Sequence, residues 1–590
     1  MLPVFTGDIM VQMTGAEALT RLLVPEAVPF VFGIAGGKLN PLLHAISREP
    51  AIRYLGVRHE ACGPLMGAAV ASASGRICVA LGEMGPGSSN LVSGLGTAFN
   101  NNLPLLLVTS NNHHAASYPN RGMFMDLDTH ALLKPLTKWS AVVHDGRRLP
   151  DLVRDAFRQA LTGRRGPVHL DVPQEIFTAR FDFDEEALSL APEAYRAVEG
   201  PRASAAQIAR AAEMLASAKR PVLVAGGGVV SANGGDLFRE LIAEIKAPAL
   251  ATQMGIGTVP SDSPFFIGHG GIIGGDAIPA AMAEADVILA VGCRFSSWLW
   301  DDGGALTKGG AQLININIDP MSLGANTPHA LGIWADARSA LADLLVALKD
   351  RAVPDRSKWL ARLRDIYVTY RGKLDRMNDD DGSIMHPARL GTALGKLLPA
   401  DSLIAYDGGH TSFWSNDLTP ATVERTRFHE PGMCQLGFGT PYAVALKLLH
   451  PDRPVFNICG DGAFGFTLSE LDTARRYGLP IINIIHNNAS WGVIKMGQRK
   501  TYDFSFGTDL DGVDYADVAR GFGCHGERVT TVDEIAPALE RAIASGLPAV
   551  IDCHVRFEAH PSMPYFAKMN AYGFQKGVGG GPHAALVKGA

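Results

Sequence analysis

The sequence has 590 residues, of which 47% are hydrophobic and 19% are charged, and its formal net charge is -6. This length exceeds what one hydrophobic core accommodates and predicts about three or four globular domains. Because no basic block with interleaved aromatic residues is present, nucleic acid is excluded as an expected partner and a small-molecule ligand is favoured.

The seven cysteines are scattered and form no CxxC pair, which predicts thiols in a reducing compartment rather than a zinc site or a disulfide framework. The first residues, "MLPVFTGDIMVQMTG", carry no basic segment ahead of an apolar stretch. No run reaches the roughly 18 apolar residues that a membrane span needs. We therefore expect a cytoplasmic protein without a membrane partner.

Short apolar runs that end in Gly, Asn or Asp recur along the chain and are typical of buried parallel strands. In chain order they include "ICVALGEMGPG", "LPLLLVTSNN", "GPVHLDVP", "RPVLVAGGG", "ADVILAVGCRF", "QLININIDP", "DSLIAYDGG", "PVFNICGDG" and "LPIINIIHNN". Alanine-rich amphipathic segments such as "AAQIARAAEMLASA" and "VDEIAPALERAIASG" lie between such runs and predict helices. This alternation predicts an α/β fold.

Two polar, proline-bearing stretches divide this series, near residues 181–204 and 349–359. We therefore expect three doubly wound parallel-sheet domains, over 1–185, 190–350 and 360–557. The rest of the chain, 558–590, ends in the glycine-rich "KGVGGGPHAALVKGA". Its composition predicts a tail outside the domains.

One stretch of the third predicted domain, "GDGAFGFTLSELDTARRYGLPIINIIHNN", joins two of the predicted strands. The first strand ends at the GDG turn. A capping box from Thr467 to Glu470 then predicts the start of a helix, and Gly478 predicts its end. The stretch therefore indicates one β-α-β crossover.

Such a crossover would bring Asp461, after the first strand, beside Asn487 and Asn488 at the end of the second. A hard cation such as Mg²⁺ takes carboxylate and amide oxygens and keeps phosphate oxygens as further ligands. The main-chain amides of the turn suit those phosphates. Either motif alone is more often an ordinary turn or loop, but together they predict a metal and phosphate site.

GDG followed by NN at this spacing resembles the thiamine diphosphate signature of the family of acetolactate synthase, pyruvate oxidase and benzoylformate decarboxylase. The resemblance covers nearly the whole chain and implies pyrimidine-binding, central and diphosphate-binding domains in that order. It also implies that Asp461, Asn488 and the main-chain carbonyl of Ser490 hold Mg²⁺. The positions it assigns to cofactor binding are Gly409, His410, Thr411, Leu436, Gly462, Ala463 and Ser490.

The segment "VRHEACGPLMGAAVASASG" resembles the pyrimidine half of that family, in which Glu60 matches the glutamate that contacts the aminopyrimidine. A carboxyl group that is hydrogen-bonded to ring nitrogen N1′ promotes the imino tautomer of the cofactor. The imino group then removes the thiazolium C2 proton. Without the second motif, an ion pair with Arg58 or a solvated loop acid would be the simpler interpretation. The family also places an apolar wedge under the cofactor, at Leu436 in this chain.

The resemblance further implies a homodimer or a homotetramer with active sites at the subunit interface, where Glu60 of one subunit meets the metal site of another. The reaction is less well defined. Acetolactate synthases carry a catalytic glutamine where this chain has Asn111, and an F-Q-E where it has 124–126. Their tryptophan after NN aligns with Gly497, so a pocket of different shape is expected.

Three further residues are candidates for acid and base chemistry. Glu83 aligns with a catalytic histidine of benzoylformate decarboxylase-like enzymes and would relay protons, or else is a buried, paired acid. His113 and His114 follow a predicted strand, and histidine titrates near neutral pH. A solvated loop pair is the alternative for these two.

The segment "GDGAFGFTLSELDT" also resembles 2-hydroxyacyl-CoA lyases and oxalyl-CoA decarboxylases, in which a carboxyl-terminal tail covers the site. Here Tyr565, Phe566 and Tyr572 would form the apolar face of such a lid. The central domain of relatives binds FAD, or ADP or the nucleotide part of CoA, or nothing. The glycine-rich turns leave these choices open, and Arg294 with Asp319 matches the flavin pattern only in part.

The sequence therefore predicts a thiamine diphosphate- and Mg²⁺-dependent enzyme that makes or breaks a carbon-carbon bond beside a carbonyl, acting on a 2-oxo acid. The alternatives are a 2-hydroxyacyl-CoA lyase and, from another class, a non-catalytic cofactor-binding subunit.

Overall fold

The computed structural model describes residues 9–117, 121–271, 273–296, 298–299, 309–379 and 382–562. These residues contain three six-stranded sheets in which the strand pairs are parallel, with helices between most of the successive strands. The apolar runs quoted above form strands of these sheets. The predicted α/β fold with three parallel sheets is therefore confirmed.

The first sheet has the order β3-β2-β4-β5-β7-β6, and β1 pairs with β8 in an antiparallel ribbon. Every residue of β5 and of β7 is buried, as expected of strands covered on both faces. The strands are β1 (Met10–Thr14), β2 (Phe30–Gly33), β3 (Arg53–Gly56), β4 (Val79–Gly82), β5 (Leu105–Asn111), β6 (Trp139–Val142), β7 (Pro167–Pro173) and β8 (Arg180–Asp184). The helices are α1 (Gly15–Leu23), α2 (Asn40–Ser47), α3 (Cys62–Ser74), α4 (Pro86–Asn100), α5 (His114–Ser117), α6 (Thr129–Leu133), α7 (Leu149–Leu161), α8 (Gln174–Thr178) and α9 (Glu185–Ser189).

The central sheet has the order β11-β10-β9-β12-β13-β14. Its strands are β9 (Pro221–Ala225), β10 (Ala249–Ala251), β11 (Phe266–His269), β12 (Val287–Val291), β13 (Gln312–Asn317) and β14 (Leu331–Trp334). The helices of this region are α10 (Ala205–Ser217), α11 (Gly227–Ser231), α12 (Gly235–Ile245), α13 (Ala277–Glu284), α14 (Ala337–Leu348) and α15 (Ser357–Arg376). Apolar side chains cover both faces of the sheet in two clusters.

The third sheet has the order β16-β15-β17-β18-β20-β19. Its strands are β15 (Leu403–Asp407), β16 (Arg427–Phe428), β17 (Val455–Gly460), β18 (Ile482–Asn487), β19 (His525–Val529) and β20 (Ala549–His554). The helices are α16 (Pro387–Leu397), α17 (Gly409–Leu418), α18 (Gly439–Leu449), α19 (Asp461–Thr467), α20 (Glu470–Arg476), α21 (Gly492–Tyr502), α22 (Tyr515–Gly521) and α23 (Ile535–Ala544).

The chain divides into two compact units. The first consists of 1–199, 432–451 and 467–477, and so contains the first sheet together with α18 and α20. Within it, α18 packs against α3, a helix buried along most of its length. The second unit contains the central and third sheets. None of the helices among the described residues combines the length and apolar character that a membrane crossing requires.

The stretch between β17 and β18 differs from the prediction. It forms two short helices, α19 and α20, and the predicted capping box is wrong. The hydroxyl of Thr467 donates to the carbonyl of Gly437 at 2.7 Å, and Glu470 accepts from the main-chain N–H of Arg58. Both side chains therefore bind distant residues instead of each other. Gly478 follows the second helix in the left-handed conformation, as predicted.

Candidate active site

Asp461 begins α19 directly after β17, next to the end of β18. The register of the two strands pairs Gly460 with His486, and the main-chain N–H of Ser490 donates to the Asp461 carboxylate at 3.2 Å. The structure thus brings the GDG turn and the segment after the asparagine pair together. Asp461 is only 3% exposed, and burial raises the pKa of its carboxyl group to about 6.

The two asparagines have different environments. The amide of Asn487 donates to the buried Asp552 carboxylate at 3.0 Å and so joins β18 to β20. The side-chain oxygen of Asn488 accepts a hydrogen bond from the Ser490 hydroxyl at 2.9 Å. The side chain of Asn488 therefore lies with the segment beside Asp461, whereas the side chain of Asn487 connects two strands of the sheet.

The residues around Asp461 can be tested for their fit to a metal ion. A buried carboxylate is unfavourable unless a positive charge or hydrogen bonds compensate it, and among the described residues no side-chain cation pairs with Asp461. In that part of the chain, no cluster of three or more His, Cys, Asp or Glu has the arrangement of a metal site. The donors present are one carboxylate, the Asn488 amide and main-chain carbonyls. Such oxygen donors fit Mg²⁺ that completes its shell with phosphate oxygens and water.

A glycine-lined cradle lies beside Asp461, where the chain passes from β15 into α17. Gly408 has a φ of +92°, and a Cβ added to it would lie 3.3 Å from the Gly460 nitrogen. A Cβ added to Gly460 would lie 3.0 Å from the Thr411 hydroxyl. No side chain caps the start of α17, which leaves the amides from Gly409 onward for an anion.

His410 gives the most direct test of the fit. Its side chain is buried, and neither ring nitrogen has a hydrogen-bond partner among the described residues. Burial lowers the pKa of the imidazole to about 3, so the ring is neutral and has one donor and one acceptor nitrogen. A buried polar group without a partner is rare. A phosphate oxygen in the cradle would satisfy the donor nitrogen, so these residues fit a diphosphate group.

Gly462, in the GDG turn, has no room for a side chain. A Cβ added to Gly462 would lie 2.5 Å from the Trp491 ring, and the following Ala463 is buried. Small residues here let the main chain approach a ligand closely.

Glu60 lies between β3 and α3 in the first unit. The amide of Asn90, on α4, donates to its carboxylate at 2.9 Å. Arg58 instead pairs with Asp472 at 3.7 Å, so the ion pair that was the simpler interpretation of Glu60 is absent among the described residues. Glu60 is a half-buried carboxylate held by a neutral donor.

Glu470 was named in the sequence analysis only as part of a capping box, and its role beside Glu60 was missed. It is completely buried, and its carboxylate accepts from the main-chain N–H of Arg58 at 2.9 Å and of His59 at 3.3 Å. The Thr473 hydroxyl donates to its other oxygen at 2.6 Å. Burial raises the pKa of this carboxyl group. Glu470 thus holds the turn that carries Glu60, and a polar residue on the inner face of α20 was the available signal.

Glu83 follows β4 and is partnered rather than solvated. Its carboxylate accepts from the main-chain N–H of Lys38 at 3.1 Å, and the Lys38 ammonium lies 3.7 Å away. The alternative of a paired acid therefore describes its surroundings.

The histidine pair lies at the end of β5. His113 Nδ1 is 3.4 Å from a Glu175 oxygen, and the main-chain N–H of His114 donates to the other oxygen at 2.7 Å. Asn111 donates to the buried Asp171 at 2.6 Å. These contacts anchor the loop after β5, and proton-transfer roles for His113 and His114 stay predictions.

Three pocket positions named above have the following surroundings. Leu436 is half-buried in the loop before α18, and its carbonyl accepts from the Gln435 amide at 3.1 Å. Phe124 is 80% exposed. Gly497 is buried on α21. The role of Leu436 as a wedge stays a prediction.

The glycines of the central sheet have a structural explanation. A Cβ added to Gly226 would lie 2.1 Å from the Gly292 carbonyl oxygen, and one added to Gly228 would lie 2.6 Å from the Gly292 Cα. Asp319 caps the short helix Pro320–Ser322. The close approach of two loops explains why glycine occupies positions 226, 228 and 292. The proposed lid residues Tyr565, Phe566 and Tyr572 lie outside the described residues.

Comparison with family models agrees with this geometry. The model of the thiamine pyrophosphate enzyme N-terminal TPP binding domain matches residues 13–132, the central-domain model matches 208–344, and the C-terminal TPP binding domain model matches 407–553. The chain belongs to the thiamine pyrophosphate enzyme family.

Curated relatives resemble it over almost their whole length. The "Probable acetolactate synthase large subunit" of Methanocaldococcus jannaschii is 30% identical over 564 residues, covering 94% of each chain. The acetolactate synthase large subunit of Corynebacterium glutamicum is 29% identical, covering 92% of this chain and 86% of its own. The acetolactate synthase isozyme 2 large subunit of Escherichia coli K12 is 29% identical, covering 91% of this chain and 95% of its own.

Proposed function

We propose that this protein binds thiamine diphosphate through Mg²⁺ and decarboxylates a 2-oxo acid, passing the acyl unit to an acceptor. The names of the relatives support this class of reaction. The observation that carries the proposal is the neutral, buried His410, without a partner among the described residues, in the same end of the sheet as the buried Asp461.

In this proposal the metal ligands are Asp461, Asn488 and the Ser490 carbonyl. The cradle from Gly409 to Thr411, with the turn at 462–463, would hold the diphosphate. Thiamine diphosphate, when bound, supplies a nucleophilic carbon that attacks the substrate carbonyl.

Glu60 has a separate role. The Asn90 amide holds the Glu60 carboxyl group in place. This carboxyl group would form a hydrogen bond with pyrimidine nitrogen N1′ and exchange a proton there. Leu436 would support the bent cofactor from below. The residues of the chain thus bind, orient and move one proton, and the reacting carbon belongs to the cofactor.

The test is CO₂ release from a panel of 2-oxo acids, including pyruvate and benzoylformate, by the purified protein with thiamine diphosphate and Mg²⁺. We expect release from at least one acid. The Glu60→Gln variant should keep cofactor binding, measured by circular dichroism, and lose turnover. The matched control is Glu185→Gln, a surface acid paired with Arg21 in the same unit, which should behave as wild type.

If no acid of the panel released CO₂ while the cofactor was bound, decarboxylation of a 2-oxo acid would be contradicted. The protein would then be assayed for 2-hydroxyacyl-CoA lyase activity. A fully active Glu60→Gln protein would instead refute the role of Glu60.

We also propose at least a homodimer, in which active sites form between subunits, and the three domain boundaries given above. Exposed aromatic side chains support an interface, because Phe466 and Phe506 are largely exposed. All seven cysteines lie within the described residues and none forms a disulfide, which supports a cytoplasmic location. Light scattering of the purified chain tests the assembly.

A further inference from the structure

A charged pair, Lys38 and Glu83, lies in the first unit at the point where the strand order reverses. The chain runs from β2 to β3 on one side and then returns to β4 on the other. Lys38 is in the loop after β2, and Glu83 directly follows β4. In open parallel sheets, ligands bind in the crevice at this reversal, outside the carboxyl ends of the strands.

The loop after β2 is shaped around the Glu83 carboxylate. The main-chain N–H of Lys38 donates to both carboxylate oxygens, at 3.1 and 3.4 Å. A Cβ added to Gly36 would lie 2.1 Å from a Glu83 oxygen. Only glycine fits there, so the acid and the loop hold each other in place.

The Lys38 ammonium lies near Glu83 but forms no hydrogen bond with it. Its side chain is 13% exposed, and its ammonium nitrogen lies 3.7 Å from a Glu83 oxygen and 6.0 Å from the centre of the Phe124 ring. Neither distance is a hydrogen bond, and within the described ranges no other acceptor contacts this nitrogen. A largely buried ammonium has three donors to place. Its surroundings therefore call for an anionic oxygen from a ligand.

The pair also lies next to Glu60. A Cβ added to Gly87 would lie 3.2 Å from the Glu83 Cβ and 3.4 Å from a Glu60 carboxylate oxygen. One glycine thus separates the acid of the charged pair from the acid proposed to activate the cofactor.

We propose that Lys38 is the residue that binds the carboxylate of the 2-oxo acid substrate. This inference rests on the proposed function and deepens it. Glu83 at 3.7 Å offsets part of the lysine charge, so the ammonium attracts the anion without holding it so tightly that loss of CO₂ is opposed. The exposed Phe124 ring, centred 6.0 Å from the ammonium, adds a cation–π contact at the edge of the site. The site selects acids over neutral carbonyl compounds of the same size.

The test compares one acid with one neutral carbonyl compound. In Lys38→Met we expect the KM for pyruvate to rise about 10- to 100-fold, since a hydrogen bond to a charged group is lost. The KM for acetaldehyde in acyloin formation should stay within about twofold, because this substrate has no carboxylate. Lys38→Arg should restore most of the affinity for pyruvate, and Lys134→Met, at an exposed lysine of the same unit, should change neither constant.

Glu83→Gln gives an effect of the opposite sign. Its amide oxygen still accepts from the Lys38 main chain while the competing charge is gone, so the KM for pyruvate should fall. If the KM for pyruvate and the KM for acetaldehyde rose equally in Lys38→Met, the inference would be overturned, because Lys38 would then have a structural role.

Direct binding separates this inference from the proposed function. Saturation-transfer NMR of pyruvate with the cofactor-loaded protein needs no turnover. Pyruvate binding that disappears in Lys38→Met supports the lysine site even if no CO₂ is released, in which case the proposed reaction alone fails. Pyruvate binding of equal strength in both proteins refutes the lysine site, whatever the activity.

Discussion

The buried carboxylate of Glu470 accepts a hydrogen bond from the main-chain N–H of Arg58 at 2.9 Å, two residues before Glu60. The helix that follows the GDG turn therefore fixes the turn that carries the proposed activating acid. The interaction needs an acceptor at this position and not a charge.

The first prediction tests this relationship. We expect Glu470→Ala to lower kcat about 10- to 100-fold, because two main-chain donors lose their partner, while the Kd for thiamine diphosphate changes little. Glu470→Gln, which keeps the acceptor oxygen, should stay within about threefold of wild type. The control Asp472→Asn weakens the exposed ion pairs to the side chains of Arg58 and Arg476 without touching the main-chain donors, and it should leave kcat unchanged. A Gln variant as impaired as the Ala variant would show that charge matters.

The second prediction separates the two asparagines. Asn487→Ala removes a donor from the buried Asp552 carboxylate and should cost about 1 to 3 kcal/mol of stability, seen as a lower Tm, with an unchanged Mg²⁺ requirement. Asn488→Ala should leave the Tm of the apo protein nearly unchanged and raise the Mg²⁺ concentration needed for half-maximal activity about tenfold or more. The same phenotype from both variants would contradict this division.

The third prediction concerns His410. Replacing it with Leu removes two buried ring nitrogens that have no partner among the described residues, so the Tm of the apo protein should rise or hold. The Kd for thiamine diphosphate should increase about tenfold or more, because a phosphate partner is lost. His269→Leu is the matched control, a buried histidine of the central sheet, and it should leave cofactor binding unchanged. Unaltered cofactor affinity in His410→Leu would remove His410 from the site.

The fourth prediction is a pH dependence. Burial lowers the pKa of His269 to about 4, below the ordinary histidine value of about 6.5. The unfolded chain therefore binds a proton that the folded chain does not, and stability falls as the pH drops below about 6.5, by up to about 1.4 kcal/mol per pH unit. Burial raises the pKa of Asp171 to about 6, which acts in the opposite direction and is the same in both proteins.

The measurement is the Tm of the apo protein at pH 7.5 and at pH 5. The loss of Tm on acidification should be smaller in His269→Leu than in wild type. An equal loss in the two proteins would show that His269 is not neutral and buried in the folded protein.

The strands were predictable because each carries its own signal. Runs such as "LPIINIIHNN" are apolar throughout and end in polar residues, so both their burial and their carboxyl ends can be read locally. The pairing of β17 with β18 followed from a single crossover, which placed Asp461 near Ser490. Local pattern and short connections were sufficient there.

The misses involve partners far away in the chain. Thr467 and Glu470 have the spacing of a capping box, but their side chains bind Gly437 and Arg58, and no local pattern reports such contacts. Lys38 was overlooked because a loop lysine is usually solvated, and only the strand order shows that it faces Glu83. Long-range packing, not propensity, decided these positions.

The first and third sheets share one strand order. Numbered within its own sheet, each follows 2-1-3-4-6-5, so the two sheets are copies of one topology. After the first strand, one copy reads Gly-Gly-Lys up to Lys38 and the other reads Gly-Gly-His up to His410. After the third strand, a glycine precedes an acid in both copies, Glu83 in one and Asp461 in the other. In the first copy the Lys38 ammonium lies 3.7 Å from the acid, whereas in the second copy the corresponding residue is a neutral imidazole and Asp461 pairs with no side-chain cation among the described residues.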